Sequence, residues 1–405
     1  MSDTSPWQSP SGPDPLLPPA GGQTPPPPPG FPPPPGVPVG PGSAPAWTPP
    51  PRPGLIPLQP MTLGTILGAS FRVLRRNPRP TFGLSLLIQG VTVVLGVGTV
   101  ALVFFFAFGR LENAASTSAQ ADIANGSIAL LLLAYLVPIT LGVFGLAITQ
   151  GVFSIEVARG TVGEKLTLGG LWRRARGRLG ALIGWFWAIV GIAIFAYVLV
   201  VIVLSLIIVA GGVAGVIIGI VLGILLFLGA LVLIGWLSTK LSMVPAVLML
   251  ERLTLGKAIA RSWRLTTGNF YFWRTLGIEL LVLFIIETAT SVVSAPIEVI
   301  FVAVTALFNQ TGAQSTAITL TVVVGAITVV VTVVLGAVAS VVQSSTTALL
   351  YIDLRIRKEA LDLDLIRFVE ARQAGDDSVP DPYLVAQGST PSGAAPPQPA
   401  PPPIA

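Results

Sequence analysis

Long apolar runs separated by short basic connections set the pattern of this chain. Residues 81–109 form one apolar run and residues 128–154 a second. From Leu179 to Thr239 there is no charged residue. As one helix, that stretch would be about 92 Å long, about three times the hydrocarbon thickness of a bilayer. It therefore predicts two helices, with "AGGVAG" at 210–215 as the turn between them, because glycine tolerates turn dihedrals. A fifth run starts near Thr275 and meets Pro296, and a sixth covers 316–352. The fold class expected is an all-α polytopic membrane protein of about six transmembrane helices. The spans fall near 81–109, 128–154, 180–208, 212–238, 275–296 and 316–345.

A phrase repeats between these runs. "TLGTILGASFRVLRRN" begins at Thr62 and "TLGKAIARSWRLTTGN" at Thr254, sharing Thr-Leu-Gly, a Ser-aromatic-Arg triplet and a final Asn. A third Thr-Leu-Gly begins at Thr167, where the triplet positions hold Ala175, Arg176 and Gly177. The copies precede the first, third and fifth spans. They divide the protein into three parallel units, each an amphipathic basic helix followed by a transmembrane hairpin. In the first copy Leu63, Ile66, Leu67, Phe71 and Leu74 share one face at helical spacing, and Arg72, Arg75 and Arg76 share the other. In the third copy Leu255, Ala258, Ile259 and Trp263 make the stripe, with Lys257, Arg261 and Arg264 on the polar side. Thr62 and Thr254 stand at N-cap positions.

Charge fixes the expected orientation. Of 23 Lys and Arg residues, only Arg110 falls in a connection after an odd-numbered span. Positive charge is retained on the cytoplasmic side, so the chain is expected to be multi-pass in the cell membrane with both termini cytoplasmic. Composition agrees: 52% of residues are hydrophobic, 10% are charged, and mean hydropathy is +0.81. Of 38 prolines, 24 lie in residues 1–60 and nine from Pro380 onward. Residues 1–60 and 373–405 therefore read as disordered Pro-rich tails flanking a membrane domain at 61–372. Trp7, Phe31 and Trp47 punctuate the first tail, and such segments dock protein partners in aromatic grooves.

The candidate chemistry is narrow. Cysteine and histidine are both absent, which removes imidazole bases and Cys/His metal sites. No nucleotide-binding glycine loop or nucleophile motif stands at a credible place. The expectation is a protein with no catalytic, cofactor or metal site and no nucleic-acid partner. Its candidate interfacial residues, suited to anionic lipid headgroups, are Phe71, Arg72, Arg75, Arg76, Arg261, Trp263 and Arg264. Three span ends carry an acid beside a base, at Glu156, Glu251 and Asp353, and read as solvated ion pairs that pin the structure. "YIDLRIRKEALDLDLI" reads as a closing amphipathic helix over 353–372. Glu287 lies about a dozen residues into the fifth span, where an acid is a functional candidate. Glu279 and Glu298, nearer the ends, are expected to snorkel outward.

"PGLIPLQPMTLGTILGASFRVLRRNP", "LERLTLGKAIARSWRLTTGNFYFWRTLG" and "YIDLRIRKEALDLDL" together resemble actinobacterial integral membrane proteins of the glycerophosphoryl diester phosphodiesterase membrane-domain family. The resemblance covers about residues 55–370. In that family the membrane domain occurs fused to a soluble catalytic barrel that uses histidines and metal-binding carboxylates. This chain has no histidine, so the resemblance implies the membrane domain and not the activity. Two functions fit: a non-enzymatic protein that organises lipids or partners at the cytoplasmic face, or a transporter or lipid translocator using Glu287 and the repeat interface.

Overall fold

A computed structural model describes residues 54–112, 116–311, 314–376 and 378–384. The rest of both proline-rich tails, with Trp7, Phe31 and Trp47, lies outside the described residues. Among the described residues ten α-helices follow in order: α1 (Leu63–Arg76), α2 (Leu84–Glu112), α3 (Thr117–Ala134), α4 (Leu136–Thr161), α5 (Leu168–Leu241), α6 (Val244–Leu250), α7 (Leu255–Leu265), α8 (Asn269–Thr311), α9 (Gln314–Glu359) and α10 (Leu361–Gln373). A five-residue π turn, Arg79–Gly83, leads into α2, and no strand occurs among the described residues.

Five helical stretches are long and apolar enough to cross a membrane. The longest contains α5, which doubles back on itself. Gly212 has φ 52° and ψ −131°, outside any helical region. A Cβ added at Gly215 would lie 2.3 Å from the Ile207 carbonyl oxygen, and one at Gly223 would meet the Leu204 side chain at 3.7 Å. In a continuous helix Leu204 and Gly223 would stand about 28 Å apart. The two arms of α5 are therefore antiparallel, as the glycine turn at 210–215 predicts, and the chain passes along the bundle six times.

The outer hairpins are antiparallel as well. Gly145 of α4 packs on Ile88 of α2, and Arg274 of α8 reaches Asp353 of α9. The first and third hairpins then pack on each other. Gly336 of α9 lies against the Gln89 side chain, and the Ser85 hydroxyl donates to the Ala337 carbonyl at 3.0 Å.

The starts of α1 and α5, all of α6 and α7, and the ends of α4 and α9 converge at one end of the bundle, here the basic end. Most of the buried apolar side chains form one cluster there, including Phe153, Leu182, Leu248, Leu349 and Tyr351. All of α6 is buried.

Three expectations change. The membrane domain starts earlier than residue 61, because Leu55 and Ile56 are buried and Leu55 N–H donates to the Gly160 carbonyl at 2.8 Å. It ends later than 372, because Tyr383 is 1% exposed. Apolar anchors inside the proline-rich ends explain both shifts. The closing helix is α10 from Leu361. Residues 353–359 continue α9 instead, and the break falls at Ala360, whose φ of 52° is left-handed. Pro296 sits within α8 without ending it.

Candidate functional site

The repeated phrase occupies equivalent surroundings in all three copies. The fourth and eighth residues after each threonine are buried: Ile66 and Ser70, Leu171 and Ala175, Ala258 and Ser262. The ninth and tenth are exposed: Phe71 and Arg72, Arg176 and Gly177, Trp263 and Arg264. The phrase thus places a small side chain inward and an aromatic or basic pair outward. Its serines tie the helix to its neighbours. Ser70 Oγ donates to Ile66 O at 2.9 Å and lies 2.9 Å from Thr346 Oγ1, and Ser262 Oγ donates to Lys240 O at 2.7 Å. Thr62 and Thr167 cap their helices, accepting from the backbone N–H of Thr65 and Gly170. Thr254 has the extended cap backbone but makes no side-chain cap bond.

The predicted arginines separate into two sets. Arg76 turns inward, donating to the carbonyls of Gly160 at 2.6 Å and Glu164 at 3.1 Å. Arg261 also turns inward, its Nε 3.0 Å from Glu251 Oε2 and its Nη2 2.7 Å from Glu359 Oε2. Burial opposes the Arg261 charge, but the bonds to Glu359 and Glu251 more than offset it, so this guanidinium is held charged more firmly than a free one. Arg72, Arg75 and Arg264 are exposed and make no ion pair among the described residues, and Phe71 and Trp263 are exposed beside them. Arg79, Arg173, Arg176 and Lys257 share that exposure, along with Trp172, Phe270 and Trp273. Of these, Lys257 was already on the polar side of the third copy; the other six were visible as basic or aromatic residues but are not matched between copies.

The three acids at span ends are not solvated pairs. Glu156, Glu251 and Asp353 are 3%, 4% and 0% exposed. Nor do they use the adjacent bases. Asp353 receives Met61 N–H at 2.8 Å, Arg274 Nη2 at 3.0 Å and Arg357 Nε at 3.0 Å. The same two arginines donate to the Met61 carbonyl at 2.6 and 2.9 Å. The Met61 peptide, just ahead of α1, is thereby clamped on both sides. Glu251 takes Arg261 together with the Tyr351 hydroxyl at 2.8 Å. Arg355 donates to Tyr351 at 3.0 Å, to Glu359 at 3.0 Å and to the Tyr383 carbonyl at 3.1 Å. Glu156 accepts from Asn77 Nδ2 at 3.2 Å. Sequence adjacency misled at Glu251 and Asp353 because the bases one and two residues on, Arg252 and Arg355, point elsewhere on the helix; Arg159, three residues after Glu156, is taken by Asp381 instead.

The C-terminal residues close this network. Arg159 pairs with Asp381, and the Tyr383 hydroxyl bonds the Thr161 hydroxyl. Burial pushes the Tyr383 phenol above its ordinary range, against smaller opposing effects of the Thr161 bond and two arginines. A small cavity with room for about one water lies between this strap and Arg159, Arg174, Met249 and Arg252.

The intramembrane acids also differ from expectation. Glu287 stands on the exposed side of α8, as does Glu298. Glu279 does not snorkel: its Oε1 is buried without a partner among the described residues. No family model matches the chain, and neither a curated protein nor a solved structure matches it.

Proposed function

We propose that the chain is a non-enzymatic multi-pass protein of the cell membrane whose basic end lies on the cytoplasmic side and gathers anionic lipid headgroups. Both termini then face the cytoplasm. The observation that carries this reading is the sorting of the arginines. Those turned inward satisfy carboxylates and carbonyls, while Arg72, Arg75 and Arg264 stand outward beside Phe71 and Trp263 with no acidic partner among the described residues. Each basic side chain near an anionic surface contributes about 1 kcal/mol of attraction, and flanking aromatics suit headgroup depth. The resemblance to the glycerophosphoryl diester phosphodiesterase membrane domains supports the same reading, because what it implies for a histidine-free chain is a membrane domain alone.

The test is mass spectrometry of lipids retained through gentle purification, with an unrelated six-span protein as control. Wild-type protein is expected to enrich anionic lipid over the control. The triple variant Arg72→Ala, Arg75→Ala, Arg264→Ala is expected to lose that enrichment while keeping its melting temperature. Enrichment that survives the triple variant would refute the proposal and move the search to partners of the proline-rich tails.

A further inference from the structure

Glu279 lies ten residues inside the apolar stretch Asn269–Val304. It stands five residues inward from Arg274, about 7.5 Å along a helix axis. Its Oε1 is sealed from solvent and has no hydrogen-bond partner, and Thr275 Oγ1, one turn back on the same face, is likewise buried and unpartnered. The hydroxyl beside this carboxyl is that of Ser242, at the turn between α5 and α6. That hydroxyl already donates its hydrogen to the Thr239 carbonyl at 3.0 Å. Ser242 is also within hydrogen-bonding reach of this carboxyl, and its one hydroxyl hydrogen cannot serve both the Thr239 carbonyl and an ionised Glu279. Even where Ser242 serves the carboxyl, Oε1 is left without the hydrogen or positive charge that would satisfy it.

No base supplies it. On α5, Lys240 donates to the Thr266 carbonyl and lies over the rings of Trp263 and Phe272. On α8, Arg274 is committed to Asp353 and the Met61 carbonyl, and Glu287 is exposed. On α9 the ionisable groups nearest this level are Tyr351, Asp353 and Arg355, all engaged in the network at the basic end. An isolated carboxylate at this depth is costly and serves as a functional candidate by default.

We infer that the Glu279 carboxyl, with the hydroxyls of Ser242 and Thr275, is a binding site for a small monovalent cation, either a proton or a sodium ion. The two share one chemistry, since each neutralises a carboxylate whose Oε1 is buried with no partner among the described residues. A proton on Glu279 donates to Ser242 Oγ and leaves the Ser242–Thr239 bond intact. A sodium ion takes the carboxylate and both hydroxyl oxygens as hard ligands, the donor type that hard cations prefer. This site is separate from the outward arginines and stands or falls without them.

The experiment is thermal unfolding of the full chain in detergent, across a range of pH, in sodium chloride and in choline chloride at equal ionic strength. Glu279→Gln carries a neutral amide that needs no cation, and Glu287→Gln is the control on the exposed side of the same helix. In choline the wild type is expected to lose a few degrees of melting temperature relative to Glu279→Gln as pH rises. Recovery of that loss by sodium identifies a sodium site, and indifference to sodium identifies a proton site. Wild-type and Glu279→Gln curves that run parallel in both salts would overturn the inference, as would an equal flattening by Glu287→Gln. Should Glu279→Gln not fold, the double variant Ser242→Ala, Thr275→Ala serves instead. It is expected to shift the midpoint of the sodium or proton response several-fold, and an unshifted midpoint overturns the inference.

Discussion

The basic end and the α5 hairpin are built on opposite principles. From Val341 to Ile356, α9 is buried at every position except Gln343, and it is crossed by a polar network of named pairs. From Phe186 to Ser238, only Gly215 and Gly219 of α5 are buried, each against its own opposite arm. The first region specifies its partners through hydrogen bonds, and the second only has to be apolar, long and able to turn. Lipid tails are as apolar as the arms, so nothing hydrophobic drives them against other helices. Repeated sequence thus yields unequal units: α1 and α7 are separate basic helices, the second copy is the start of α5, and the middle hairpin packs chiefly on itself.

The largest effect should come from the clamp on Met61. Asp353→Asn removes the buried charge facing Arg274 and Arg357 and leaves two partly buried guanidinium groups without their carboxylate. Breaking a buried pair in this way costs about 3–5 kcal/mol. Thermal unfolding in detergent should show a large drop, and protease should release the residues ahead of α1. A drop no larger than that of an exposed substitution would show that the network is not what fixes the basic end.

In the hairpin the sensitive positions are the glycines of close approach. A Cβ at Gly215 would meet the Ile207 carbonyl oxygen at 2.3 Å, and backbone cannot move aside cheaply. Gly215→Val should cost about 1–3 kcal/mol as overpacking, read as a lower melting temperature. The clamp on Met61 should survive it, because the arms and the basic end share few contacts. Gly211→Ala, where an added Cβ meets nothing, is the neutral comparison.

The Tyr383 strap lies between these extremes. Tyr383→Phe keeps the buried ring and loses the bond to Thr161, a change of about 1 kcal/mol. The sign with pH follows from the raised phenol. The neutral form is favoured in the folded state, so the hydroxyl's contribution is present below the free-tyrosine pKa of about 10. It is lost as pH rises above that value. The wild-type strap should therefore loosen in alkali, and Tyr383→Phe should lack that alkaline step in proteolysis of the C-terminal residues.

The two regions were also unequally legible in the sequence. Span number and the turn at 210–215 follow from hydropathy and glycine placement, which are local properties, whereas periodicity put Arg76 and Arg261 on the polar side and both turn inward. The pairing of Asp353 with Arg274 joins residues 79 apart, and that of Glu251 with Arg261 spans the turn between α6 and α7, so neither falls at a helical spacing that a local pattern reveals. Adjacency suggested Arg252 and Arg355 instead. Glu287 attracted notice through its depth in the span, whereas the orientation that covers Oε1 of Glu279 depends on which face of α8 meets its neighbours. Leu55, Ile56 and Tyr383 were hidden by the prolines around them, because composition averages over the few apolar anchors that matter.

The smallest predicted effect is also the sharpest check on the hairpin. Phe195 is 71% exposed on the first arm of α5. Phe195→Leu keeps the residue strongly apolar, so insertion into hydrocarbon is nearly unchanged. If the arm meets only lipid, the change should stay within about 0.5 kcal/mol, as for substitutions away from packed features. The melting temperature in lipid nanodiscs should then match wild type. A loss comparable to that of Gly215→Val would mean that the ring is packed against another protein surface in the membrane. The contrast between a bonded end and a lipid-held hairpin would then apply to the isolated chain and not to its assembled form.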